Sequence, residues 1–544
     1  MLQSISKFNA WIWGAFFIVF LWSFAIYDTK FRGPDEPIYY AYTASIIEDG
    51  DLNAANQLYQ GSAKFVSQTY NLPDFHNHGG TVFWAPIYAC SRFLGTEQAI
   101  KCALSFSSVI FGLFTLLLTF ILCRNFFSEK TSLWSTAIMF LATPYFYFTF
   151  FESANGQIIA SLLSVISIFI LYYAFTLKLR HWFFYGMFFS LCLAVKLDLW
   201  FQVFLIAMCL LAMHSSKELT WRKVGYFILG FLPIFILNLV NDYIKYGFMH
   251  KGEFYLFNPH NFYLFDQLFS SYRGYFYTSP IFYVSLFGFV LVTIALFKKK
   301  FPDNQERWKI TLLFLLAVYL FIKIFIISFR YAWGGGTTGA RQLLTEFPVF
   351  VLLYAYALEN QKRLIRYLLC LLSLFLLFWN FMVISEFITG MDLEYLAGAP
   401  GLMERVKSVA VIFNLLACPK EIWLKLMASG PLLCGMFLII LLVLREKRKI
   451  SSDKWILKLM IFISIYAVSA YSLITVFNIC RNRNNVESLK AKGFFDHAVV
   501  LNSKDYERQE NVSSMDEMIA YFSLKKDYAM VENIKRIKKS IYGD

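Results

Sequence analysis

The chain has 544 residues, of which 58% are hydrophobic, 20% aromatic and only 16% charged. Water-soluble domains carry nearer a quarter charged residues, so this composition excludes a soluble enzyme or scaffold. The net charge of +14 is not a nucleic-acid footprint: Lys and Arg fall mainly in short links between apolar runs, where they report membrane topology.

A membrane-spanning helix needs about 20 apolar residues. The apolar runs predict about thirteen spans, near residues 10–27, 99–123, 131–150, 156–176, 183–196, 200–214, 223–241, 279–297, 310–329, 343–358, 367–385, 430–444 and 456–477. The expected fold is an all-α polytopic membrane protein. The first run follows one positive charge, Lys7, and has no small-x-small cleavage site, so it reads as an uncleaved first helix.

Six basic links set the orientation: residues 124–130, 178–181, 217–223, 298–309, 362–366 and 445–454. All fall on one side if the N-terminus is cytoplasmic. The opposite, external side then receives residues 28–98, 151–155, 196–198, 242–278, 330–342, 386–429 and the tail. Three regions follow. Residues 1–241 form an N-terminal transmembrane catalytic module that includes the external loop 28–98. Residues 242–477 form a C-terminal transmembrane region with external loops 242–278, 330–342 and 386–429. Residues 478–544 form a small external α or α+β tail.

The first external loop is long and acidic, with Asp28, Asp35, Glu36, Glu48, Asp49, Asp51 and Asp74. Loops this long usually carry function. Within it, residues 82–94 are aromatic but too short to span, which predicts an interfacial or re-entrant helix. The nine cysteines show no CxxC or metal spacing and read as small core residues. Cys418 and Cys480 alone fall in external segments and leave room for one bridge. A single Asn-x-Ser sequon, at Asn511, lies in the tail.

Asp35 and Glu36 stand where the first span gives way to water. A carboxylate there can face a lipid-borne substrate and take a proton from a hydroxyl. The same pair also suits a helix N-terminus just before Pro37. Arg341 follows Gly334, Gly335 and Gly336 and precedes an apolar run, a placement suited to phosphate. Arg273 lies among aromatics, as a snorkelling or a binding arginine would. Glu152 ends the third span. Lys196 and Asp198 sit in a turn between apolar runs, where charges need pairing, with each other in the simplest case, or else a function. His76 and His78 form an HxH that, with Glu152, is a weak metal candidate. No HExxH or GxSxG argues for hydrolysis.

In order, these pieces resemble the GT-C superfamily of membrane glycosyltransferases, which use polyprenyl-phosphate sugars. The resemblance covers roughly residues 10–385. It rests on GPDEPIYYAYTASIIEDGDL, TPYFYFTFFES, SYRGYFYTSP and YAWGGGTTGARQLLTEFP, all on one side. The span number and external tail are similar to those of lipid A aminoarabinose transferases and protein O-mannosyltransferases. The His-Pro-Pro of the mannosyltransferases and the Glu-Lys-Pro of the aminoarabinose enzymes are missing near His76 and His78. The resemblance implies Asp35 as the catalytic carboxylate. It implies Glu36, His78, Glu152, Lys196, Arg273, Tyr331 and Arg341 as substrate-binding residues. The expected partners are a polyprenyl-phosphate sugar and a glycan, lipid or protein acceptor, at a bacterial inner membrane with the site outside. The expected transfer is metal-independent or assisted by a divalent cation, and no other cofactor is expected. A ligase using a lipid-diphosphate donor and a lipid-linked-sugar transporter are the competing readings; the transporter expects internal repeats around a midplane site, and none is seen.

Overall fold

Apolar runs in the sequence become helices in a computed structural model that describes residues 35–58, 65–68, 77–152, 154–174, 177–215, 221–248, 262–270, 273–298, 304–330, 341–389, 453–491 and 499–501, with isolated positions elsewhere. The predicted span 430–444 lies outside the described residues, as does most of 10–27.

Helix α1 is Asp35–Glu48, and a short α2 is Ala55–Leu58. Strand β1 is Phe65–Ser67. After a 3-10 turn at His78–Gly80 come α3 Thr81–Ser91, α4 Glu97–Arg124, α5 Glu129–Leu141 and α6 Tyr145–Phe150. Next are α7 Gly156–Tyr172, α8 Leu179–Val195, α9 Gln202–Ser215 and α10 Trp221–Tyr246. Two short helices, α11 Leu264–Phe269 and α12 Tyr275–Thr278, precede α13 Phe282–Lys298 and α14 Asn304–Ile327. A 3-10 segment, Arg341–Glu346, leads into α15 Phe347–Glu359 and α16 Arg363–Thr389. The described chain ends with α17 Asp453–Ala491 and β2 Val499–Leu501.

Six of these segments are long and apolar enough to cross a membrane: Glu97–Arg124, Leu197–His214, Trp221–Tyr246, Gln305–Ile327, Arg363–Ile388 and Met460–Cys480. Local chemistry sets their starts. Gly95 turns at φ 76° and Thr96 then caps α4, its side chain accepting from the Ala99 amide. Asn155 caps α7 by accepting from the Gln157 amide at 3.1 Å.

One expectation is corrected. The run 131–150 is two helices, because Pro144 has no N–H to donate and disfavours helix in the residue before it; α5 stops at Leu141 and α6 starts after the proline. The last apolar span, Met460–Cys480, lies where it was expected, and its helix α17 runs on to Ala491 through the polar start of the tail. The all-α class stands, with one two-stranded exception. β1 pairs in parallel with β2, Phe65 opposite Val499 and Ser67 opposite Leu501, joining the first long loop to the tail.

Close helix contacts use glycine. A Cβ on Gly186 of α8 would lie 2.0 Å from the Phe227 carbonyl oxygen, and one on Gly230 of α10 1.8 Å from that of Phe183. Gly288 of α13 meets α15 in the same way, 1.9 Å from the Leu353 oxygen. Where lipid offers no hydrophobic drive between helices, such small residues let backbones touch.

Four of the six basic links gather at one end among the described residues. Phe126 packs on Tyr172 at 5.1 Å between ring centroids, and Phe127 on Tyr356 at 6.1 Å. Ser128 Oγ donates to Glu359 Oε2 at 2.9 Å, and Trp308 Nε1 to the Tyr172 carbonyl at 3.2 Å. Links 124–130, 178–181, 298–309 and 362–366 therefore share one end. The opposite end holds α1 and α3, with Tyr39 against Trp84 at 5.4 Å and Tyr88 donating to Glu48 at 2.6 Å. Helix α3 falls within the aromatic stretch expected to be interfacial.

Candidate functional site

Asp35 and Glu36 open α1, where the helix dipole favours negative charge. Both are nearly buried, 6% and 1% exposed. They face different partners. Asp35 Oδ2 lies 3.3 Å from Arg341 Nη1, the first residue of the 3-10 segment before α15. Glu36 Oε1 accepts from the Ala154 amide at 3.0 Å, tying α1 to the turn between α6 and α7. Two segments distant in sequence thus supply one carboxylate–guanidinium contact.

Glu152 sits in that turn, fully buried. Its Oε1 accepts from Asn155 Nδ2 at 2.8 Å, and its Oε2 has no hydrogen-bond partner among the described residues. Burial, with Glu36 and Asp35 nearby, pushes its pKa up to about 8 against the pull of Arg341. The ordinary value is 4.5, so between pH 4.5 and about 8 the folded chain holds a proton the unfolded chain has lost, and stability falls as pH rises across that window. Glu152→Gln is expected to flatten this slope in thermal melts of the full chain in detergent. An unchanged slope would show that Glu152 is not its source.

Lys196 and Asp198 flank the start of a 3-10 turn, Leu197–Leu199, between α8 and α9. The simplest expectation, a bond between them, gives way to separate partners. Lys196 has extended backbone, φ −156° and ψ 139°, and its Nζ donates to the Tyr39 hydroxyl at 3.1 Å. Asp198 Oδ2 accepts from Gln157 Nε2 at 3.0 Å. Tyr39 is one turn along α1 from Asp35, so Lys196 joins the same cluster. Arg273 is buried in the turn before α12. Two residues on, the Tyr275 hydroxyl donates to Gln342 at 3.0 Å, which ties that turn to the residue after Arg341.

His78 faces α10. Its Nδ1 lies 3.9 Å from Asp242 of α10, and its Nε2 has no hydrogen-bond partner among the described residues. Burial, with Lys245 nearby, holds its pKa down at about 3, so the ring is neutral. Of the metal set, His78 turns to α10 and Glu152 to Asn155, each from its own turn. Among the described residues no three His, Cys, Asp or Glu side chains form a metal-binding group. His76, Tyr331 and the glycines Gly334, Gly335 and Gly336 lie outside the described residues, as do Cys418, Cys434 and Asn511.

Several buried charged groups were not singled out in the sequence, Lys323, Glu346 and Lys245 among them. Lys323 of α14 meets Glu346, the last residue of the 3-10 segment, at 2.9 Å with neither side chain exposed. Lys245 of α10 lies over the Tyr42 ring, 4.2 Å from its centroid. For Lys323 the signal was present: a lone charge inside an apolar run is costly unless paired or functional.

The fold and site define a multi-span helical membrane protein with a buried charged cluster at the end opposite its basic links. No protein-family profile and no curated protein sequence matches the chain. Two solved structures are similar to it. One is ArnT from Cupriavidus metallidurans bound to undecaprenyl phosphate, at 12% identity and a TM-score of 0.48, covering 89% of this chain and 80% of that one. The other is the same protein in the apo state, at 13% identity and a TM-score of 0.43, covering 87% and 78%.

Proposed function

We propose that the chain is an inverting membrane glycosyltransferase of the GT-C type. It moves a sugar from a polyprenyl phosphate to an acceptor hydroxyl at the outer face of a bacterial plasma membrane. The observation that carries the reading is the Asp35–Arg341 contact at 3.3 Å, beside buried Glu152 and Lys196. It brings together a carboxylate and a guanidinium, the groups that a base and a phosphate-binding cation require, and it supports the resemblance seen in the sequence.

In this reaction Asp35 takes the proton of the acceptor hydroxyl. The acceptor oxygen bonds to the anomeric carbon as the bond from that carbon to the phosphate oxygen breaks. The electron pair leaves with the polyprenyl phosphate, and Arg341 balances the charge gathering there. The transition state has oxocarbenium character, as in glycoside hydrolysis. A phosphate leaves readily, so no general acid is needed. Arg273 and Lys196 are the further candidates for holding the phosphate, and Glu36 and Glu152 shape the pocket behind the base.

The test supplies the purified full chain with polyprenyl monophosphate and diphosphate sugars in parallel, alongside a proteoliposome flipping assay. Free polyprenyl phosphate released with sugar transfer is the expected result. Turnover of the diphosphate donor alone, or flipping without transfer, would replace this function with a ligase or a transporter.

A further inference from the structure

The 3-10 segment Arg341–Glu346 carries Arg341 at one end and Glu346 at the other. It has six residues, whereas 3-10 runs beyond three or four are uncommon because their hydrogen bonds are poorly aligned. Such a segment needs outside support to keep its shape. The middle is held by Ser161 of α7, whose hydroxyl donates to the Leu344 carbonyl at 3.0 Å, and by Tyr275 on Gln342.

The far end is held by charge. Lys323 Nζ donates to Glu346 Oε1 at 2.9 Å and to Thr345 Oγ1 at 2.6 Å. Glu346 Oε1 also accepts from the Tyr319 hydroxyl at 2.7 Å and from Thr345 Oγ1 at 2.9 Å. Lys323, Thr345, Glu346 and Tyr319 are all fully buried. A buried ion pair is rarely the best way to gain stability, since apolar replacements of both partners are often neutral or better. What it does supply is a fixed direction and register.

We infer that Lys323 and Glu346 are positioning residues that fix the 3-10 segment on α14 and so set Arg341 against Asp35. This rests on the function proposed above for its kinetic part only. The pair touches neither reacting atom; it acts through six residues of backbone.

The test uses the full chain in detergent with two readouts. The first is amide hydrogen exchange, which needs no activity. Lys323→Met, Glu346→Gln and the double variant Lys323→Met/Glu346→Met are each expected to speed exchange in residues 341–346 at least about tenfold, with α4 and α8 unchanged. The second is transfer kinetics. A displacement of about 1 Å far from the chemistry can cost roughly a hundredfold. Donor KM is expected to rise about tenfold, together with a fall in kcat. A merely structural role would lower the amount of active protein and leave KM unmoved.

Each single change leaves one buried charge uncompensated and can prevent folding. The double variant removes both charges and keeps the test decisive. Wild-type exchange and donor KM in the double variant would overturn the inference. So would faster exchange with an unmoved KM in an active enzyme. If the wild-type chain shows no transfer, the proposed function fails, while the exchange result still decides whether the pair fixes the segment.

Discussion

Asp35→Asn is expected to slow sugar transfer by roughly a hundred- to ten-thousand-fold, the usual worth of a general base. Asn also favours a helix start, so α1 keeps its beginning and the loss reports chemistry. The amide cannot take the acceptor proton. It also releases the charge that holds Arg341 at 3.3 Å, leaving the guanidinium freer for phosphate. The rate constant kcat should therefore collapse while donor KM stays level or falls. Single-turnover release of polyprenyl phosphate measures both. Near-normal turnover in this variant would remove Asp35 as the base.

Arg341→Met should move KM the other way. Methionine keeps much of the apolar stem and deletes the charge. Losing one preorganised partner of a developing charge costs roughly a hundred- to a thousand-fold. A guanidinium that also binds the ground-state phosphate adds a rise in donor KM. Arg341→Lys should recover only part of the loss, because an ammonium lacks the planar fork. Equal kinetics for the Met variant and wild type would separate Arg341 from the phosphate and return it to a structural partner of Asp35. The opposite KM shifts of the two variants distinguish a base from an anion-binding group.

Much of this was readable in the sequence, for identifiable physical reasons. Lipid allows few charges, so apolar runs mark helices directly, and the described helices lie along those runs. Asp35, Glu152, Lys196 and Arg341 stood out because charges at run ends are costly without a role. Their partners did not stand out. Lys196 and Asp198 look like a pair on paper, but the extended backbone at Lys196 turns its side chain to Tyr39. The run 131–150 is long enough for one helix, and Pro144 divides it. His78 was grouped with Glu152 by residue type, whereas packing delivered it to Asp242 on α10. Lys323 was visible as a lone charge, but its partner Glu346 comes from another element, and no local pattern announces such a contact.

The pairing of β1 with β2 also sets an order of manufacture. Strand β1 must wait in synthesis for β2, which follows α17. Pairing between strands so far apart in sequence is slow, because a very large loop must close before any contact rewards it. The membrane helices can insert one by one as they leave the ribosome, but this clasp closes only after α17 has been made. A product cut short before β2 would therefore sit in the bilayer with β1 unpaired, an open backbone edge. The strand pair, three residues on each side, is a late fastening of an early loop.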